Sequence, residues 1–177
     1  GNQDSVRLLI ETGAEIHLQH SYGNNVLHAV VILSENSPEN ACQMLRLVLG
    51  LVKTWIQKSK LADVYRIMAN QELAINSTIY QLLKMERKDG FTPLKLAAKL
   101  GCSKILNEIL NIRNVCCFPL FSVGGGTEML YDVTEIEPAF NVQASVGSVI
   151  DIVDQKFSEC LVKILGIPII ENVANLK

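Results

Sequence analysis

The sequence predicts a mainly α-helical solenoid of stacked repeats, followed by a small β-hairpin linker and a C-terminal helix pair. Three observations predict it. A helix-opening phrase recurs, most fully as DGFTPLKLAAKLG from Asp89 to Gly101. Apolar residues fall at helical spacing on both sides of that phrase. Beyond Asn111 the composition turns to aromatic and β-branched residues around Gly124, Gly125 and Gly126, which favours two short strands joined by a turn. With 177 residues, 49% of them hydrophobic, the chain can fill the core of one domain of ordinary size.

The elements follow in order. In DSVRLLIETGAEIH, Val6, Leu9 and Ile10 recur at helical spacing and Gly13-Ala14 closes the helix. A new helix opens at YGNNVLHAVV, with Leu27 and His28 at the Leu-His positions, and its partner runs from about Ala41 through QMLRLVLGLVKTWIQ. In the phrase at Asp89, the Asp-Gly pair supplies the turn and Thr92 caps the helix. Pro93 sits at the first helical position, where its missing N–H costs nothing, while Ala97 and Ala98 allow close packing. SKILNEILN supplies the second helix of that pair. A turn, a T-P-L-H opening and two helices in about 33 residues make an ankyrin unit.

The span from Gly23 to Gly90 has room for two such units, yet it holds no second opening phrase. It is read as one repeat with a long insertion. The expected organisation is then a partial repeat array over residues 1–115 with an insertion at about 57–86, a β-hairpin linker over 116–147, and a helix-turn-helix over 148–177. Gly166 and Pro168 break the last segment. The chain starts without Met, midway through a repeat, and is expected to be a piece of something larger.

Composition excludes several functions. Sixteen basic and eighteen acidic residues give a net charge of −2, so no basic field exists for a nucleic acid. No run approaches the roughly 18 apolar residues of a membrane span, and MLRLVLGLV is interrupted by Arg46. Five cysteines without C-x-x-C pairing read as reduced thiols. His17, His20 and His28 match no zinc spacing, no glycine run is followed by Lys-Ser/Thr, and no nucleophile has a base beside it. No enzyme activity, catalytic residue, cofactor or metal is therefore expected. His28 stands where a histidine braces neighbouring repeats. Lys95 replaces that histidine in the next repeat, its stem covering apolar surface.

One binding pattern stands out. Leu45, Val48, Leu49, Val52 and Ile56 form an apolar stripe beside Arg46 and Lys53, with Trp55 as a large anchor, the pattern of a calmodulin-target helix. The competing reading packs the same stripe as the second helix of a repeat.

The ordered set YGNNVLHAVVIL, DGFTPLKLAAKLG, LYDVTEIEP and ILGIPIIENVANLK resembles the cytoplasmic ankyrin domain of vanilloid-type transient receptor potential cation channels, with LYDVTEI most similar to the epithelial calcium-channel branch. The resemblance implies a cytosolic part of a homo- or hetero-tetrameric calcium-permeable channel at the plasma membrane, serving assembly and regulation. Contact with the membrane would come only through a pore domain beyond Lys177. It also implies that Phe118, Phe121, Leu130 and Tyr131 pack within or across a linker sheet against another subunit. The alternative is a soluble ankyrin scaffold that binds protein partners and has no pore.

Overall fold

Short-range capping fixes where the helices begin. The computed structural model describes residues 2–58, 71–123, 126–136, 147–154 and 167–170. In α1 (Gln3–Glu11) the Asn2 side chain accepts the Ser5 amide at 3.2 Å, and in α2 (Val26–Leu33) Asn25 Oδ1 accepts the amides of Leu27 and His28, each at 3.0 Å. Helix α3 (Pro38–Lys58) starts slightly ahead of the expected Ala41, because Pro38 suits a first turn whose amides lack helical partners. Helix α4 spans Gln71–Lys84. In α5 (Pro93–Leu100) Thr92 Oγ1 accepts the Lys95 amide at 3.3 Å, and Gly101 closes the helix in the left-handed region at φ +73°. Helix α6 (Ser103–Leu110) follows at once. In α7 (Val149–Asp154) Ser148 and Asp151 cap reciprocally, with the Ser148 amide on Asp151 Oδ2 at 2.9 Å and the Asp151 amide on Ser148 Oγ at 3.2 Å.

Strands β1 (Cys117–Val123) and β2 (Gly126–Tyr131) form one antiparallel hairpin. Cys117 faces Tyr131, Phe118 faces Leu130 and Pro119 faces Met129. The register then shifts before Ser122 meets Thr127. A shift beside Pro119 fits a residue that has no N–H to give the ladder. Within residues 57–86, the stretch expected to be an insertion, α3 continues to Lys58 and α4 packs against both α3 and α5. Of the expected C-terminal helix pair, residues 155–166 and 171–177 lie outside the described residues, as do Gly124 and Gly125 of the hairpin turn.

Packing centres on α3, which meets α1, α2, α4 and α6, while α2 lies on α5 and α5 on α6 and α7. Its stripe of Ala41, Cys42, Met44, Leu45, Val48, Leu51, Val52, Trp55 and Ile56 is buried. Of the three residues at helical spacing in α1, Leu9 is 58% exposed and the buried residue is Ile10. Leu9 and Ile10 are a full 100° apart around the helix, and α1 covers its core side with α3.

The loops between helix pairs also stack. Lys88 N donates to Tyr22 O at 3.2 Å, and Gln19 Nε2 donates to Gly23 O at 2.6 Å and Glu86 O at 2.9 Å. Gly23 sits at φ +84°, and a Cβ there would meet Lys88 N at 2.9 Å and Arg87 Cα at 3.0 Å. Both the backbone angle and the close approach demand glycine. Gly23→Ala is expected to lower stability by about 1–3 kcal/mol, read as a drop in urea midpoint at unchanged m-value. A change within 0.3 kcal/mol, roughly the neutral surface range, would contradict this account.

Candidate functional site at the hairpin exit

The segment from Asn114 to Gln155 contains no Lys or Arg but holds Glu128, Asp132, Glu135, Glu137, Asp151 and Asp154. Where this acidic segment leaves β2, it meets a cation from another helix. Lys84, in the last turn of α4, places Nζ 2.7 Å from Glu135 Oε1, 3.7 Å from Asp132 Oδ2 and 3.2 Å from Thr134 Oγ1. A cation in a last turn also complements the helix dipole.

Glu135 joins more elements than Lys84 does. Its second oxygen accepts the hydroxyl of Thr92, the residue that caps α5, and its backbone carbonyl accepts the Val149 amide at 2.8 Å. Ile150 N then donates to Ile136 O at 3.4 Å, over a fully buried Ile136 side chain. One residue thus ties α4 and α5 through its carboxylate and the start of α7 through its backbone carbonyl. Asp132 Oδ1 accepts both the amide of Thr134 at 3.0 Å and its hydroxyl at 2.7 Å, a local turn that holds Glu135 in place. Burial works against the charge on Lys84, yet the facing Glu135 outweighs it and holds the ammonium above its ordinary pKa. For Asp132, burial is outweighed by the two Thr134 hydrogen bonds and by Lys84, so its carboxyl lies below its ordinary value. Burial pushes the neighbouring Cys116 thiol up to about 12, which leaves it a protonated packing group at neutral pH.

The residues singled out from sequence fall into different places. Phe118 and Leu130 are directly opposed on the hairpin and both exposed, Leu130 by 56%. Tyr131 donates its hydroxyl to Asn111 Oδ1 at 3.3 Å, so it faces α6 rather than solvent alone. Phe121 lies in β1, and its side chain is outside the described residues. Trp55 is 1% exposed and meets the His17 ring edge-on, with centroids 4.8 Å apart. Arg46 pairs with Glu108 at 2.6 Å on the outer surface, and Lys53 is exposed. The proposed anchor and its two basic companions therefore do not share one accessible face.

The three histidines go to separate partners. His28 sits on Phe91 O at 2.9 Å and on Asn25, and burial lowers its pKa. His20 Nδ1 accepts the Tyr22 amide at 2.9 Å. His17 lies on Trp55. Among the described residues no group of three or more His, Cys, Asp or Glu side chains could hold a metal, and no helix is long and apolar enough to cross a membrane. Sequence reasoning missed Lys84 and Glu135. The available signal was the acidic segment without a basic residue of its own, which needs a cation from elsewhere.

Removing Lys84 leaves two part-buried carboxylates facing each other. Lys84→Met is expected to destabilise the chain by about 1–3 kcal/mol in urea unfolding, more than Arg46→Met at an exposed pair. The pH signs follow from the shifts. Asp132 contributes stability above its ordinary value near 4, lost as pH falls through its lowered folded pKa. Lys84 contributes below about 10.4, lost as pH rises through its raised folded pKa. Lys84→Met should therefore flatten the alkaline limb of a stability–pH profile, and an unchanged limb would contradict the assignment.

No family model matches the chain. It is 33% identical over 137 residues to transient receptor potential cation channel subfamily V member 5 of mouse, covering 77% of this chain and 15% of that protein. It is 33% identical over 144 residues to subfamily V member 6 of rat, covering 81% of the chain and 15% of the relative. Human subfamily V member 6 is 30% identical over 149 residues, covering 84% and 16%. The chain thus spans about a sixth of the length of the curated relatives it matches. By these matches along most of its length, the chain belongs to the vanilloid subfamily of transient receptor potential cation channels, as a segment similar to members 5 and 6.

Proposed function

We infer that this chain is a cytosolic ankyrin-repeat region of a tetrameric, calcium-permeable cation channel at the plasma membrane, acting in subunit assembly and regulation and carrying no enzyme activity. The observation that carries the reading is the identity of about one residue in three to cation channel subunits over more than three quarters of the chain. Two features support the repeat assignment. Helix pairs α2/α3 and α5/α6 open on side-chain caps at Asn25 and Thr92, and they pack like on like, α2 against α5 and α3 against α6.

In this reading the hairpin is the assembly element. Phe118 and Leu130 present opposed apolar side chains on a two-stranded sheet, a structure of marginal stability unless something covers it. The Lys84–Glu135 junction sets its angle to the helices. In the full-length subunit, Phe118→Asp together with Leu130→Asp is expected to reduce tetramers in cross-linking several-fold while leaving the helical circular dichroism of the chain unchanged. Undiminished tetramers would remove the hairpin from the interface. The coding sequence after Lys177 is expected to hold runs of about 20 apolar residues. A stop codon there would instead favour the soluble scaffold.

Calmodulin capture of α3 through Trp55 requires the helix to leave α1, α2, α4 and α6, since the indole lies in the core. Calcium–calmodulin is accordingly expected to leave the Trp55 emission of the folded chain where it is. A calcium-dependent shift would show that α3 is released to this partner.

A further inference from the structure

Thr134 is an exposed hydroxyl at the hairpin exit, and its sequence neighbours are acidic. Asp132 lies two residues before it, Glu135 one after and Glu137 three after, with no basic residue between Arg113 and Lys156. Ser148 also has an acid three residues on, Asp151, but it is buried and tied into the cap of α7. We propose that Thr134 is a phosphorylation site for an acidophilic protein kinase, one whose basic peptide groove reads these carboxylates, and that its modification holds the Lys84–Glu135 junction open. The inference rests on the junction reading, in which Lys84 fastens the hairpin exit to the helices.

The chemistry requires an open junction. In the closed form the Thr134 hydroxyl donates to Asp132 at 2.7 Å and meets Lys84 at 3.2 Å. The Glu135 carboxylate is at the same time occupied by Lys84 and Thr92. Neither the attacking hydroxyl nor its acidic neighbour is then free for a kinase. Local opening frees both. Thr134 Oγ1 then forms a bond to the γ-phosphorus of a nucleoside triphosphate, the bond to the bridging oxygen breaks, the nucleoside diphosphate leaves, and the hydroxyl proton passes to the kinase base.

Reclosure then fails for electrostatic reasons. Closed, the cluster sets one cation, Lys84, against two carboxylates, Asp132 and Glu135. A phosphate adds about −1.5 to −2 charge and three strong acceptors within reach of the same ammonium. It competes with Glu135 for Lys84 and repels both carboxylates, so Glu135 loses the cation that holds it beneath Thr92. The Val149 and Ile150 amides, bonded to Glu135 O and Ile136 O, report the loss.

The test uses the full 177-residue chain, a purified acidophilic serine/threonine kinase and MgATP, with intact mass, site mapping and hydrogen exchange as readouts. One phosphate is expected at Thr134, retained as phosphoserine in Thr134→Ser and lost in Thr134→Val. The modified chain should exchange the Ile136, Val149 and Ile150 amides about tenfold faster. Lys84→Met should be phosphorylated several-fold faster than the parent chain, because its junction opens more often. No phosphate at Thr134, phosphate confined to Ser148 or another site, or modification without faster exchange would each overturn the proposal. If instead unmodified Lys84→Met shows parent-like exchange at those three amides, the junction reading itself fails, whatever happens at Thr134.

Discussion

Helix α3 runs its apolar stripe between α1, α2, α4 and α6, and the other helices keep their places because that stripe must leave water. Each buried Leu, Val, Ile or Met side chain on it contributes about 1.5–3 kcal/mol, and the Trp55 ring adds a larger area. No ion pair among the described residues approaches that sum. The cross-helix pairs between α3 and α6, Arg46 with Glu108 and Lys104 with Glu39, lie on the outside of the same interface and contribute little beside it. The stripe that resembles a partner-binding helix in sequence is therefore the surface that assembles the domain.

Polar contacts then set register between helix pairs, and equivalent positions do different work. Asn25 and Thr92 both cap a first helix. The Asn25 amide also donates to Leu82 O at 2.7 Å and fastens α2 to the end of α4, whereas the Thr92 hydroxyl donates to Glu135 and fastens α5 to the hairpin exit. His28 reaches forward to Phe91 O. At the matching position Lys95 is only 9% exposed, so its stem fills the space the imidazole would take. The second helix pair thus hands its bracing role from a ring on the helix to a carboxylate arriving from the hairpin.

Much of this was legible in the residues. Thr92, Pro93 and Gly101 fix the limits of α5 because caps and left-handed glycines act within one turn of chain. The hairpin was legible because β-branched and aromatic residues flank a glycine run. That Leu9 is exposed beside a buried Ile10 was not legible, because spacing gives the faces of a helix but not how much of each face a neighbour covers. Trp55 and Arg46 were grouped as one binding element for the same reason: spacing brings them near each other, while burial separates them.

By itself the sequence determined the paired helices around Asp89–Gly101, the Thr92 cap, the two strands and the family, since these depend on residues close together or on matched phrases. The tertiary structure alone decided that Lys84 and Thr92 meet Asp132 and Glu135. Those residues come from two helices and a hairpin exit separated by some forty to fifty positions. No local pattern encodes that meeting, because it follows from how α4 and α5 lie across α3 and where the hairpin returns. An acidic segment without a basic residue announces a need for a cation, and only the packing of the helices supplies Lys84.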